Sequence, residues 1–364
     1  FYTQSVVIIK DGYLVYEGYR GITENEKSNL IQNTSMTAAE VNVLYGNRDF
    51  TSLSTSWSTA KSFTSFLVGI AIDEGLINNI DQKAADFISE WSNDDRNKIS
   101  IKNLLDMRSN LTQMCFGISL APCSDNDENG GNLVFSNDQM TACINRNLVN
   151  PDMENFLEGN FNYSNCDTMV LGEILFRASG MDLQTYAENK LFSRIHIDAE
   201  WWRDSSLYGQ ASGNYLAYCC LDSTGRDFAK FGYMILQGGI WNNGILEYSN
   251  YTNMIRNISY YGLQFWTLPI YGLNRQLIST IGFDGQYITI DYLNNLVVVR
   301  TSLYAHISNF SSQKKMKISI SDAYSGNLDN SNWIASLPNG LGIDAQSGFG
   351  QSYFMRLLTD SLEN

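Results

Sequence analysis

A serine and a lysine stand three residues apart in Ser56 to Leu76, SWSTAKSFTSFLVGIAIDEGL. They are Ser58 and Lys61. Apolar residues at Phe63, Phe66, Leu67, Ile70 and Ala71 recur at three- and four-residue steps, which predicts a helix with one buried face, and Gly75 is its stop. Ser58 then falls in the first turn. Positions i and i+3 share a face, so hydroxyl and amine can meet, while the positive helix end favours an alkoxide and opposes protonation of the lysine. Such a pair makes a nucleophile without histidine. The spacing alone is weak, because Ser311 with Lys314 and Ser312 with Lys315 also satisfy it.

Histidine is nearly absent. His196 and His306 stand in no recognisable catalytic setting, which argues against a Ser-His-Asp triad. A base for Ser58 must come from Lys61 or from a tyrosine, and either needs its pKa lowered. Tyr163 is the candidate tyrosine, in the turn Phe161-Asn162-Tyr163-Ser164-Asn165 directly before a helix. The same Tyr-Ser-Asn triplet recurs at Tyr248 to Asn250 without a partner pattern and reads as surface.

The elements that must position these groups begin with a hairpin, Gln4 to Tyr19, turning at Asp11-Gly12. Short helices are expected over Ile77–Ile88 and Ile99–Met107, a long polar loop over Gln113–Asp138, and helices over Asp138–Val149, Cys166–Ala178 and Thr224–Leu236. From Tyr261 the pattern returns to strands: Gly262–Trp266, Gln276–Thr280, Gln286–Tyr292 and Leu296–Ser302, the last pair joined by Asn294-Asn295. The tail Tyr353–Leu362 has helical spacing. Sheet, helices, then sheet imply an α/β (α+β) fold in which an antiparallel sheet flanked by helices is built from both chain ends. The expected division is 1–62 plus 261–364 for the sheet domain and 63–260 for an inserted, mainly helical one, with the active site between them.

Composition narrows the function. A chain of 364 residues, 44% hydrophobic and 17% charged, can bury a sizeable core. Its formal charge of −14 and the lack of a long Lys/Arg run argue against nucleic acid and anionic membranes as partners. No apolar run reaches the roughly 18 residues of a membrane span, so the chain is expected to be soluble. The start at Phe1, with no methionine or signal pattern, suggests that a preceding segment has been removed or left out, and with six cysteines it leans towards a periplasmic or extracellular location. No CxxC pair suggests a metal, and neither metal nor cofactor is expected. Cys115 with Cys123 is the simplest bridge for the long loop, whereas adjacent Cys219 and Cys220 are expected not to pair, because a vicinal bridge is strained.

Taken together, SWSTAKSFTS, NLLDMRSNL at Asn103, FNYSN at Phe161, TGRDFAKFG at Thr224 and GFDGQYITIDYLNNLVVV at Gly282 resemble the serine β-lactamase-related hydrolases. That superfamily includes class C β-lactamases, DD-peptidases, esterases and nylon-oligomer hydrolases, and the similarity runs collinearly from Val6 to Ser302. The resemblance implies Ser58 as nucleophile, Lys61 as its activator, Tyr163 as general base and later donor to the leaving group, and Asn165 as an orienting residue. It implies an oxyanion hole from the backbone N–H groups of Ser58 and Gln286. Where the family carries Lys-Thr-Gly or His-x-Gly, this chain has Phe283-Asp284-Gly285. The implied activity is hydrolysis of small esters or amides through an acyl-enzyme. The alternatives are a D-amino-acid peptidase or weak β-lactamase, or a non-catalytic binding protein on the same fold.

Overall fold

The computed structural model describes residues 3–33, 37–112, 133, 138–149, 161–204, 213–242, 244–245, 250–303 and 350–362. Its strands are β1 (Thr3–Lys10), β2 (Tyr13–Tyr19), β3 (Leu53–Thr55), β4 (Ala199–Trp201), β5 (Leu221–Thr224) and β6 (Ile240–Trp241). They continue as β7 (Gly244–Ile245), β8 (Tyr261–Gly262), β9 (Phe265–Pro269), β10 (Gln276–Gly282), β11 (Gln286–Asp291) and β12 (Leu296–Ser302). A seven-stranded sheet runs in the order β2-β1-β12-β11-β10-β9-β8, and the pairings recorded within it are antiparallel.

The two ends of the chain meet in this sheet, with Val7 opposite Val299 and Ile9 opposite Val297. The alternation of a strand buried on both faces is visible in β12. Val297 and Val299 join the main core, whereas Leu296 and Val298 join Ile8, Leu277 and Met355 on the other side. Met355 belongs to the helix Gln351–Leu362, so the helical spacing of the tail serves to cover that second face. Asp11 and Gly12 both take positive φ, 52° and 84°, as expected of the first hairpin's turn, and Asn295 does so between β11 and β12.

The opposite face is covered by the helix Gly225–Leu236, capped by Thr224 and burying Phe228, Phe231 and Ile235. Its Gly232 sits so close to β11 and β12 that a Cβ there would lie 2.6 Å from Ile288 Cγ2 and 2.8 Å from Val297 Cγ1. This helix falls within 63–260, yet it packs on the sheet formed by the chain ends. A smaller sheet, β3-β5-β4, leads β3 straight into the serine turn.

Three local expectations are corrected. Ile77–Ile88 holds only a 3₁₀ turn, Ala84–Asp86, because side chains take over the backbone: Gln82 Oε1 accepts from Asn78 N and Asn79 Oδ1 from Asp81 N. Gly262–Trp266 is a tight hairpin rather than one strand, with Leu263 and Gln264 at φ 49° and 63°. Burial stabilises that unusual turn, since Asp106 Oδ1 and the Leu105 carbonyl accept its N–H groups, and Ser65 and Ser62 donate to its carbonyls. The expected Asp138–Val149 helix stops at Ile144, and Leu148 instead bridges to Leu111. The loop Gln113–Asp138 and its Cys115 and Cys123 lie outside the described residues, apart from 133 and 138, as does His306.

Candidate active site

Ser58 is presented by an irregular start to the central helix. Trp57, at φ 45°, opens a 3₁₀ turn Trp57–Thr59 that passes directly into the helix Ala60–Asp73. Left-handed backbone at a bulky residue is costly and persists only where the surroundings enforce it. Here they do: Ser56 N donates to the Leu221 carbonyl and Ser56 Oγ accepts from Leu221 N, both at 2.9 Å. From Ser54 to Ala71, Ser58 is the one residue that is not buried. The helix is therefore enclosed on all sides rather than on one face, and its polar residues Ser62, Thr64 and Ser65 are satisfied by the carbonyls of Gln264, Ala217 and Leu263.

Lys61, 1% exposed, sends its Nζ to three acceptors: Ser58 Oγ at 3.0 Å, Asn165 Oδ1 at 2.7 Å and the Tyr218 carbonyl at 2.9 Å. Among the described residues it makes no ion pair. Burial without a counter-charge pushes its pKa well below the ordinary lysine value. A neutral amine has two N–H donors and one lone pair. With both donors held by Asn165 and Tyr218, which are acceptors only at those atoms, the lone pair is left facing the Ser58 hydroxyl.

Tyr163 and Asn165 are brought in by one tight connection. Met107, at φ 56°, offers its carbonyl to Asn162 N at 2.9 Å, and Ser164 caps the helix Asn165–Ser179. The Tyr163 hydroxyl hydrogen-bonds Ser58, and Lys61 Nζ lies 4.9 Å from its ring centroid. Although the ring keeps partial exposure, enclosure of its hydroxyl raises the phenol above its usual pKa, opposite to the lowering that a resting tyrosine base requires. The ring continues into an aromatic wall: Tyr261 at 5.9 Å and Trp266 at 5.6 Å, then Phe161 and Tyr260, each 5.6 to 5.9 Å from Trp266.

Beneath this helix start, the acid Asp167 is buried, and burial raises its carboxyl to about 7 despite a 2.7 Å bond from Ser109 Oγ. Its Oδ2 has no hydrogen-bond partner among the described residues.

The far wall is the β10–β11 hairpin. Gly282 permits its approach, since a Cβ there would lie 2.3 Å from the Ser56 carbonyl. Thr59 Oγ1 donates to the Gln286 carbonyl at 3.1 Å and lies 3.1 Å from Thr280 Oγ1. The Gln286 side chain is tied back to Ser302, so what this residue brings towards Ser58 is backbone. Phe283 packs edge-on against Trp57 at 5.8 Å. The side chain of Asp284 lies outside the described residues, and Gly285 accepts at its carbonyl from the buried Arg300 at 3.0 Å. Arg300 escaped the sequence reading, because within LVVVRTS it looks like an ordinary strand residue.

Cys219 and Cys220 form a disulfide with each other, against expectation, and Cys143 bridges Cys166. Neighbouring side chains diverge in extended backbone, but Cys220 adopts φ 64°, and that turn brings the two sulfurs together. His196 is exposed and ends the short helix Ser193–Ile195 at φ 54°. Among the described residues no cluster of potential ligands could hold a metal ion, and no helix is long and apolar enough to cross a membrane.

The chain is similar in sequence and in fold to known proteins. A 6-aminohexanoate-dimer hydrolase from Paenarthrobacter ureafaciens is 25% identical over 272 residues, 67% of this chain and 64% of the relative. The chain thus spans just under two thirds of the length of that curated relative. Among solved structures, a Bacillus anthracis chain described as a 6-aminohexanoate-dimer hydrolase aligns with TM-score 0.62 at 21% identity, covering 84% of this chain and 75% of that one. A class C β-lactamase from Rhodobacter sphaeroides aligns with TM-score 0.55 at 12% identity, covering 84% and 91%. These solved structures share the fold. The Beta-lactamase family model matches residues 3–306, and the chain belongs to that family.

Proposed function

We propose that this protein is a serine hydrolase that cleaves small esters or amides through an acyl-enzyme on Ser58. The observation that carries the reading is the buried Lys61 amine 3.0 Å from Ser58 Oγ, with its two other acceptors fixed. Neutral Lys61 takes the Ser58 proton as Oγ attacks the carbonyl carbon. Tyr163, held as a neutral phenol, then gives its proton to the departing alkoxide or amine. The acyl-enzyme stage holds a Lys61 ammonium beside a Tyr163 phenolate, a pair with no net charge. Water loses its proton to the phenolate and attacks the acyl carbon. The released Ser58 oxygen recovers a proton from Lys61, which restores the starting state. This division of roles departs from a resting tyrosine base, because enclosure disfavours the phenolate until Lys61 is charged.

Backbone N–H groups of Ser58 and Gln286 are the proposed oxyanion hole. The hairpin's pinning by Thr59 and Gly282 supports that role. The aromatic wall beside Tyr163 and the phenyl of Phe283 favour neutral or cationic substrates with apolar groups over carboxylate-bearing ones. The two described disulfides support a periplasmic or extracellular site of action. The test is reaction with a fluorophosphonate followed by peptide mass mapping. One adduct on Ser58, absent from Ser58→Ala, is expected; an unlabelled protein would instead favour a binding role for the fold.

A further inference from the structure

We infer that the two described disulfides position the hydrogen-bond acceptors Asn165 and Tyr218 of Lys61, so that the catalytic base works at full rate only in the oxidised protein. The inference rests on the reading of Lys61 as the base. Each of the two acceptors other than Ser58 lies next to a bridged cysteine in sequence: Asn165 precedes Cys166, and Tyr218 precedes Cys219.

The Cys219–Cys220 bridge lies within the five-residue span Ala217–Leu221, anchored on the nucleophile helix at one end and on Ser56, just ahead of that helix, at the other. Ala217 accepts from Thr64 Oγ1 at 2.7 Å, Tyr218 accepts from Lys61, and Leu221 is doubly bonded to Ser56. Between those anchors Cys219 N donates to the Leu216 carbonyl and the Cys220 carbonyl accepts from Trp202 N. Closing the two adjacent side chains into a ring fixes the turn that aims the Tyr218 carbonyl inward. The second bridge joins the helix Gln139–Ile144 to the first turn of the helix that carries Asn165. The same short helix reaches Tyr218 from its other side, since Gln139 Oε1 accepts from the Tyr218 hydroxyl at 2.8 Å. Asn165 and the Tyr218 carbonyl are therefore held by one cross-linked frame, and the four cysteines are at most 3% exposed.

Reduction by a phosphine transfers two electrons to each bridge, water supplies the two thiol protons and the oxygen, and two cysteine thiols and a phosphine oxide remain. With the frame loosened, the lone pair of Lys61 is no longer confined to Ser58, and water enters the pocket and stabilises the ammonium. A misplacement on the order of 1 Å costs about a hundredfold in such reactions.

The experiment is the rate of Ser58 labelling by a fluorophosphonate against pH. It compares oxidised protein, protein held in a phosphine reductant, Cys219→Ala/Cys220→Ala and Cys143→Ala/Cys166→Ala. Thiols are counted by mass after denaturing alkylation, and folding is checked by far-UV circular dichroism. The expected result is a loss of about tenfold to a hundredfold at neutral pH. The acidic inflection moves upward towards the ordinary lysine value, and reoxidation of the reduced protein restores both. A folded protein with either bridge open that keeps the oxidised rate and inflection overturns the inference, as does a lowered melting temperature with an unmoved inflection. Failure of the oxidised protein itself to label at Ser58 would instead remove the underlying assignment, and the inference with it.

Discussion

The Tyr218 carbonyl and the Lys61 amine are joined by a 2.9 Å hydrogen bond across 157 residues of chain. Asn165 Oδ1 holds the same amine at 2.7 Å, and on the proposed mechanism these two acceptors direct its lone pair at Ser58. Ser58→Ala should abolish turnover. Lys61→Ala and Tyr163→Phe should each lower kcat by about a hundredfold or more, the usual scale for losing an acid–base group. Steady-state kinetics on an unactivated alkyl ester, which needs a protonated leaving group, provide the check; Tyr163→Phe with near-native activity would remove Tyr163 from the mechanism.

Asn165→Asp places a carboxylate where a neutral carbonyl oxygen now lies 2.7 Å from Lys61 Nζ. An adjacent negative charge favours the ammonium and raises the lysine pKa. The variant should lose activity at neutral pH and regain much of it in alkaline buffer. A profile that keeps its wild-type shape would show that Asn165 does not govern the amine.

Asp167 supplies a prediction about stability. Its carboxyl is raised by burial to about 7, from an unfolded value near 3.8. Between those limits the folded state keeps a proton that the unfolded state has lost, so this group's contribution falls as pH rises from about 4 to about 7. Asn cannot ionise, so Asp167→Asn should be more stable relative to wild type at pH ~8 than at pH ~5. Urea midpoints at the two pH values measure this, and an equal difference at both would contradict it.

Substrate preference follows from Phe283 and the aromatic wall. A phenyl group offers no charge to a carboxylate, and the chain carries a net charge of −14. A short-chain aryl ester should therefore be hydrolysed with much higher kcat/KM than a penicillin, and Phe283→His should narrow the gap. Comparable values on the β-lactam would show that a group other than residue 283 supplies the missing charge.

Much of this architecture was legible because it obeys local rules. Asp11-Gly12 permits only a narrow set of turns, the runs Gln286–Tyr292 and Leu296–Ser302 have strand character throughout, and the spacing of Cys166–Ala178 predicts the helix that Ser164 and Gly180 cap. Ser58 and Lys61 were legible because i and i+3 share a helical face. The tight turn at Leu263-Gln264 was not, because neither residue prefers left-handed backbone; buried partners from Ser62, Ser65 and Asp106 impose it. Nor was Tyr218 visible, since its bond from Lys61 is accepted by a backbone carbonyl that every residue possesses. The Cys219–Cys220 bridge was misjudged for a related reason: local strain argues against it, and tertiary anchors at Ala217 and Leu221 set the turn that accommodates it.

The most direct test of a neutral Lys61 as the base is the pH dependence of Ser58 acylation in wild type and Lys61→Ala, measured by quenched-flow mass spectrometry on one slow ester. The wild-type rate should rise through a single inflection well below the ordinary lysine pKa of about 10.4 and then hold level. Protonation below that inflection removes the lone pair that accepts the Ser58 proton. In Lys61→Ala the rate should fall by about a hundredfold or more and the inflection should disappear. An inflection that persists unchanged in Lys61→Ala, with acylation near the wild-type rate, would show that Lys61 is not the group that activates Ser58.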